Sequence, residues 1–250
     1  MFTETRRALT KLEYAAARIA KAAGTPTLFG DAERQWYRFT AQDNLQVIAV
    51  KGVRVVSALN ATFRLLEFGF SVESAVVLRT VDDFVDEITL LLEGLQSGTP
   101  TRAQQEFRQH FFDESIASPE ALLDDRRGPD RVKKKEIQAA QARYLDSKNP
   151  DKPRRMVGAI DRIFDGYVHG SYPSSMELFD PNRDGGTFRM SGTEGTPYPA
   201  AVRTHFAHYV SRALSVFGMI ALQLGNETFK DELMTARDRF EASGEFPSVK

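Results

Sequence analysis

An all-α helical bundle is the fold class this sequence predicts, and three observations predict it. Apolar residues recur at spacings of three and four over most of the chain. No stretch alternates apolar and polar residues over enough segments to build a sheet, and glycine and proline gather most densely in one late segment, 170–199. The 250 residues are expected to form a single helical domain. It divides into an N-terminal helical extension (1–40), a helical hairpin (41–97), a charged helical insertion (98–150) and the C-terminal helices of the bundle (151–240).

The first helix is expected over 3–23, rich in alanine and stopped by Gly24 and Pro26. The second, 41–68, carries Val47, Val50, Val53, Val55, Leu59, Phe63 and Leu66. Gly69 and Ser71 then make a tight turn into a third helix, 71–95, with Val72, Val76, Val81, Phe84, Val85, Ile88, Leu91, Leu92 and Leu95 on one broad face. Helical patterning returns over 101–112. Ser118-Pro119-Glu120 reads as a cap followed by a first-turn proline, and Pro129-Asp130 opens a helix to about residue 145. Asn149-Pro150-Asp151-Lys152-Pro153 breaks that helix before another over 154–168. Segment 170–199, with five glycines and prolines at 173, 181, 197 and 199, is a long loop with room for a short β-hairpin through residues 187–190. Loops of that length inside a compact domain are often functional lids or binding loops, and plain mobility is the competing reading. Two helices, 200–224 and 227–240, complete the chain.

Composition excludes several chemistries. The absence of cysteine removes disulfides, thiolate metal sites, iron–sulfur clusters and a cysteine nucleophile. With 33 Lys+Arg against 34 Asp+Glu the formal charge is −1, so no global field points to nucleic acid or membrane. Glu4, Arg6, Arg7 and Lys11 interrupt the start of the chain, leaving no apolar core of signal-peptide length. Segment 213–226 lacks ionisable residues but falls short of the about 20 needed to cross a bilayer, so a cytoplasmic location with no membrane contact is expected. The neutral total hides two opposed stretches. Residues 126–155 hold eleven Lys/Arg against four acids, a net of +7, whereas 67–96 hold seven acids against Arg79 alone, a net of −6. Within the basic stretch, Lys133, Lys134 and Lys135 are candidate RNA contacts; a solvated face, or pairing with an acidic surface of another subunit, is the competing reading.

Four histidines offer titratable chemistry. His205 and His208 share a helix face with Arg212. A metal would need carboxylates such as Asp82, Asp83, Asp86 and Glu87 opposite them, but the bundle motif Glu-x-x-His is missing: Glu106 and His110 are spaced wrongly. Neither a metal nor another cofactor is called for. His169 has the better context, at the junction of a helix with the glycine-rich loop. Arg162 lies seven residues earlier, on the same face and about 10 Å away along the axis. A histidine can exchange a proton with a ribose hydroxyl while an arginine holds the charge that develops on phosphate oxygens, the requirement of metal-free RNA cleavage. The competing reading has His169 pinning the helix end and Arg162 pairing with Asp161 or Asp165. In the third helix, Arg79, Asp83 and Glu87 stack along one ridge. Because Ala75–Leu78 is apolar, Arg79 is expected to enter the bundle and pair with Asp82 or Asp83.

Two segments carry a family resemblance. The run Ala75-Val-Val-Leu-Arg79-Thr-Val-Asp82-Asp83-Phe, followed some eighty residues later by Tyr167-Val-His169-Gly-Ser171, resembles a bacterial all-helical family known only as a domain of unknown function. That family pairs an Arg/acidic helix with a Tyr/Ser/His helix end. The Arg-x6-His spacing of Arg162 and His169 is similar to the HEPN motif, although Ile163 follows the arginine where HEPN proteins commonly carry a polar residue. The resemblance spans roughly 41–95 and 154–172. It implies a helical bundle that often dimerises and, in active members, a metal-independent ribonuclease of defence systems. Two functions follow as expectations. One is a binding or interaction module, with Arg79, Asp82, Asp83, Tyr167 and Ser171 in a polar network and a protein partner or second copy. The other is a HEPN-like ribonuclease using Arg162 and His169.

Overall fold

The computed structural model describes residues 2–30, 35–112, 132–145, 149, 151–183, 185–193 and 199–245. Among them are nine helices and two small antiparallel sheets of two strands each, an all-α bundle. Helix α1 (Thr3–Ala22) buries Ala8, Leu9, Leu12, Ala15, Ala16 and Ile19 at the three- and four-residue spacing of one helix face. It packs on the second helix and on the two C-terminal ones, so it is a member of the bundle and not an extension of it. The rest of the expected helical region 1–40 is different: β1 (Thr27–Gly30) pairs with β2 (Gln35–Arg38), with Leu28 opposite Tyr37 and Phe29 opposite Trp36.

Helix α2 (Asn44–Glu67) begins at Asp43, whose carboxylate accepts the Gln46 N–H at 2.9 Å. It ends in a Schellman turn: Phe70 N–H donates to the Leu65 carbonyl at 2.9 Å and Gly69 N–H to Leu66 at 3.2 Å, with Gly69 at φ +79°. The turn leads directly into α3 (Ser71–Ser97), which packs along α2 as the expected hairpin.

Helix α3 is the shared wall of the fold. It touches α2, α4 (Arg102–Phe112), α5 (Lys134–Leu145), α6 (Asp151–Val168) and α8 (Pro199–Gln223). Its apolar face, Ala75, Leu78, Val81, Val85, Ile88, Leu91 and Leu92, lies in the core with Val47, Leu59 and Phe63 of α2 and Phe206, Val210, Leu214 and Phe217 of α8. Helix α4 is fastened by the buried Gln104 amide, which donates to the Leu90 carbonyl at 2.8 Å and accepts the Thr101 N–H at 2.7 Å. The cap expected at Ser118-Pro119-Glu120 and the helix opening at Pro129-Asp130 lie outside the described residues.

Helix α6 starts at Asp151, earlier than expected. Pro153 falls in its first turn, where a missing N–H costs no intrahelical bond. Past α6, the long loop holds a short helix α7 (Tyr172–Met176) and the two-residue strands β3 (Phe179–Asp180) and β4 (Thr187–Phe188), a hairpin near where one was expected. The loop is anchored at its far end: Thr193 N–H donates to the Gly69 carbonyl at 2.7 Å, and its hydroxyl meets that of Ser71 at 2.7 Å. Helix α8 then runs through the core, and α9 (Glu227–Ala242), capped by Asn226, returns along it. Finally, Glu245 accepts the Glu4 and Thr5 N–H groups at 2.8 and 2.9 Å and so caps α1. No helix among the described residues is long and apolar enough to cross a membrane.

Candidate functional site

The residues singled out in the sequence separate into an inner ionic seam and an outer face of α6. Arg79 enters the interior and joins three carboxylates: Asp83 on its own helix at 2.6 Å, and Asp165 and Asp161 on α6 at 2.9 and 3.5 Å. Asp161, deeply buried, also receives the Lys134 ammonium at 2.7 Å and the Gln138 amide, both from α5. Partial burial pushes the Asp165 carboxyl up, but the Arg79 hydrogen bond and the charges of Arg79, Lys134 and His169 outweigh it and hold Asp165 below the usual range. Farther along, Arg143 of α5 meets Glu93 of α3 at 3.2 Å. The basic and acidic stretches that cancel in the net charge therefore meet inside one chain, α5 against α3 and α6.

Asp82, expected to share Arg79, takes a different partner. It and Asp86 both face Arg212 of α8, which reaches Asp82 at 2.5 Å and also pairs with Asp86. Of the carboxylates that a metal would have needed opposite His205 and His208, Asp82 and Asp86 are thus occupied by this guanidinium, Asp83 by Arg79 and Glu87 by Lys51. His205 packs edge-on against Phe164 at 5.3 Å, and burial lowers its pKa. Burial and the charge of Arg212 also lower that of His208. No group of three or more acidic or histidine side chains among the described residues is placed to hold a metal ion.

Tyr167 and Ser171 lie outside the seam. The Tyr167 hydroxyl donates to Glu177 at 2.6 Å, and burial with that carboxylate raises its pKa. Ser171 shapes the corner after α6: its N–H donates to the Gly166 carbonyl at 2.8 Å and its hydroxyl meets that of Ser174 at 3.0 Å. A Cβ at position 166 would stand 3.0 Å from the Ser171 hydroxyl, close enough that the serine side chain would have to shift by a few tenths of an ångström.

Arg162 and His169 face solvent. Angular position explains it: Phe164 and Asp161 point inward from α6, and Arg155, Arg162 and His169, seven residues apart, fall on the opposite side. The Arg162 guanidinium lies back over Gly158, where a Cβ would be 3.8 Å from it. It pairs with neither Asp161 nor Asp165, because Arg79, Lys134 and Gln138 hold those carboxylates. His169 is exposed, its backbone N–H donating to the Asp165 carbonyl at 3.0 Å. At the adjoining start of α5, Lys133 and Lys135 are exposed and make no ion pair with a described residue, whereas Lys134 is tied into the seam.

Chemically, this outer face offers charge without enclosure. Arginine and histidine can bind phosphate oxygens, and both stand exposed among the described residues. Two residues take partners the sequence reading did not give them: Arg212, set there beside His205 and His208, and Asp165, offered there to Arg162. Arg212 had a signal, as the one Lys, Arg, Asp or Glu between Arg203 and Glu227, in an otherwise apolar helix; Asp165 had none beyond its place on α6. No family model, curated protein or solved structure matches the chain.

Proposed function

We propose that this protein is a helical interaction module that binds a phosphate-rich polyanion, RNA foremost, on the outer face of α6. The observation that carries the reading is charge arithmetic at that face. Arg155, Arg162 and His169 point outward, while the neighbouring carboxylates Asp161 and Asp165, with Asp83, are paired from within by Lys134 and Arg79, which leaves that cluster a single negative charge. Among the described residues, the outward Arg155 and Arg162, with Lys133 and Lys135 beside them, outnumber that single charge and leave the face cationic. The test is fluorescence anisotropy with labelled single-stranded RNA at several salt concentrations. The parent is expected to bind with an affinity that falls steeply with salt, and Arg155→Glu/Arg162→Glu, checked for folding by circular dichroism, to lose binding. Equal affinity of the two proteins refutes the reading.

The solvent exposure of Arg162 and His169 also favours a second reading, the metal-independent ribonuclease implied by the HEPN-like spacing. In it, His169 exchanges the proton of the attacking ribose hydroxyl and Arg162 holds the phosphate charge. It expects RNA cleavage in the presence of a chelator that His169→Ala or Arg162→Ala abolishes. Undiminished cleavage by both variants rules it out.

A further inference from the structure

The strongest unexplained feature of the interior is an imbalance of charge between α3 and α8. Asp82 and Asp86, one helical turn apart on α3, share a single guanidinium, that of Arg212. Their side chains are 3 % and 4 % exposed, so solvent cannot supply the missing positive charge. None of the surrounding groups does so either. On α3 itself, Arg79 is held by Asp83, Asp161 and Asp165, and Glu87 is held by Lys51 of α2. From α6 comes another carboxylate, Asp161, paired with Lys134 of α5. From α8 come Tyr209, a neutral phenol beside Asp82, and His208, whose protonation is disfavoured by burial and by Arg212. Glu241 of α9 lies beyond His208 and adds negative charge. Two buried polar atoms, Asp82 Oδ2 and the Tyr209 hydroxyl, have no hydrogen-bond partner beyond each other.

We propose that the α3–α8 junction is a proton-sensitive clamp: Asp82, Asp86 and Arg212 together hold one proton in the folded chain, and the junction loosens when that proton passes to solvent. With the proton in place, one carboxylate and one guanidinium balance, and the second carboxyl is a neutral hydrogen-bonding group. Without it, two buried negative charges face one positive charge across the helix contact. The site's electrostatics agree. Burial is the largest influence on Asp86, and despite the opposing charge of Arg212 its pKa is pushed up to about 7, with Asp82 and Asp161 adding to the rise. Asp82 is raised as well, again by burial against the pull of Arg212. The clamp bears on the proposed α6 face from behind, because Tyr209 and His205 of α8 pack on Phe164 of α6 at 5.7 and 5.3 Å.

The sign is opposite to that of an ordinary salt-bridged aspartate. An acid whose folded pKa exceeds its unfolded value contributes stability that is complete below the usual aspartate range and is lost as pH rises through about 7. Other carboxylates and histidines titrate in the same interval, so the test is a difference. Urea unfolding of the parent and of Asp86→Asn is followed at a series of pH values. The folding constant of Asp86→Asn relative to that of the parent is expected to rise with pH, by up to about tenfold per pH unit between the two pKa values, and to level off above neutrality. A ratio that stays constant with pH overturns the proposal. Should Asp86→Asn fail to fold, carbon-13 NMR of the parent's carboxyl groups decides. An Asp82 or Asp86 resonance that titrates near neutrality supports the clamp, and completion of both titrations in the ordinary aspartate range overturns it.

Discussion

Replacing Arg79 by alanine is the sharpest perturbation of the seam, and its cost follows from the fate of each carboxylate left behind. Removing one partner of a buried ion pair typically costs about 3–5 kcal/mol, because a charge remains uncompensated. Here the penalty is reduced. Asp83 and Asp165 are 43 % and 48 % exposed and can rehydrate, and Asp161, only 6 % exposed, keeps Lys134 at 2.7 Å and Gln138. What is lost outright is the charge-assisted hydrogen bond to Asp165, the close ion pair with Asp83 and the packing of the arginine stem, together about 2–3 kcal/mol. At about 2–4 °C per kcal/mol for a chain of this size, the melting temperature should fall by about 4–12 °C. Urea unfolding followed by far-ultraviolet circular dichroism, with unchanged m-value, measures the loss. Arg79→Lys should recover only part of it, since one ammonium cannot span three carboxylates. A loss below about 0.5 kcal/mol, the size of an ordinary surface change, would show that the seam does not stabilise the α3–α6 contact.

Other expectations are equally direct. Gly192→Ala should release the loop anchor: at φ +104° an added Cβ would stand 2.7 Å from the Phe68 carbonyl. A cost of about 1–3 kcal/mol, read as faster hydrogen exchange at the Thr193 amide, is expected. Glu245→Gln should lose about 1 kcal/mol of α1 capping. Although partial burial opposes it, the hydrogen bonds from Thr5 and the α1 backbone lower the Glu245 pKa, so its contribution is present above the usual glutamate range and vanishes as pH falls through the folded value; the Gln variant should lack that acid-side loss in thermal melts. Arg143→Ala, which breaks a partly exposed pair with Glu93, should cost under about 1 kcal/mol and less at high salt.

How much of this could be read from the residues depends on distance along the chain. The α2–α3 hairpin was legible because its apolar periodicity is long and Gly69 marks the turn, so the expected 41–68 and 71–95 nearly coincide with Asn44–Glu67 and Ser71–Ser97. The β1–β2 hairpin was not, because four-residue strands are too short to establish alternation. Arg79 was legible as a buried cation wanting acids, and Asp83 as a partner one turn away. That Asp161 and Asp165 complete the site depends on helix packing across some eighty residues, which no local pattern encodes. Asp82 illustrates the limit: local spacing offered it to Arg79, yet its angular position on α3 turns it toward Arg212 of α8.

The position of α3 as shared wall also bears on how such a chain can change over generations. Apart from the Lys51–Glu87 pair, its contacts with α2 are apolar, where one side chain can be exchanged for another of similar volume at modest cost. Its contacts with α5, α6 and α8 include ion pairs as well, where a change on one helix strands a charge on another. Viable substitutions on that side should therefore arrive as compensating pairs, Arg79 with Asp165 or Arg212 with Asp82 and Asp86. Among related sequences, one flank of this helix would drift freely in residue identity while the other would covary with partners far along the chain.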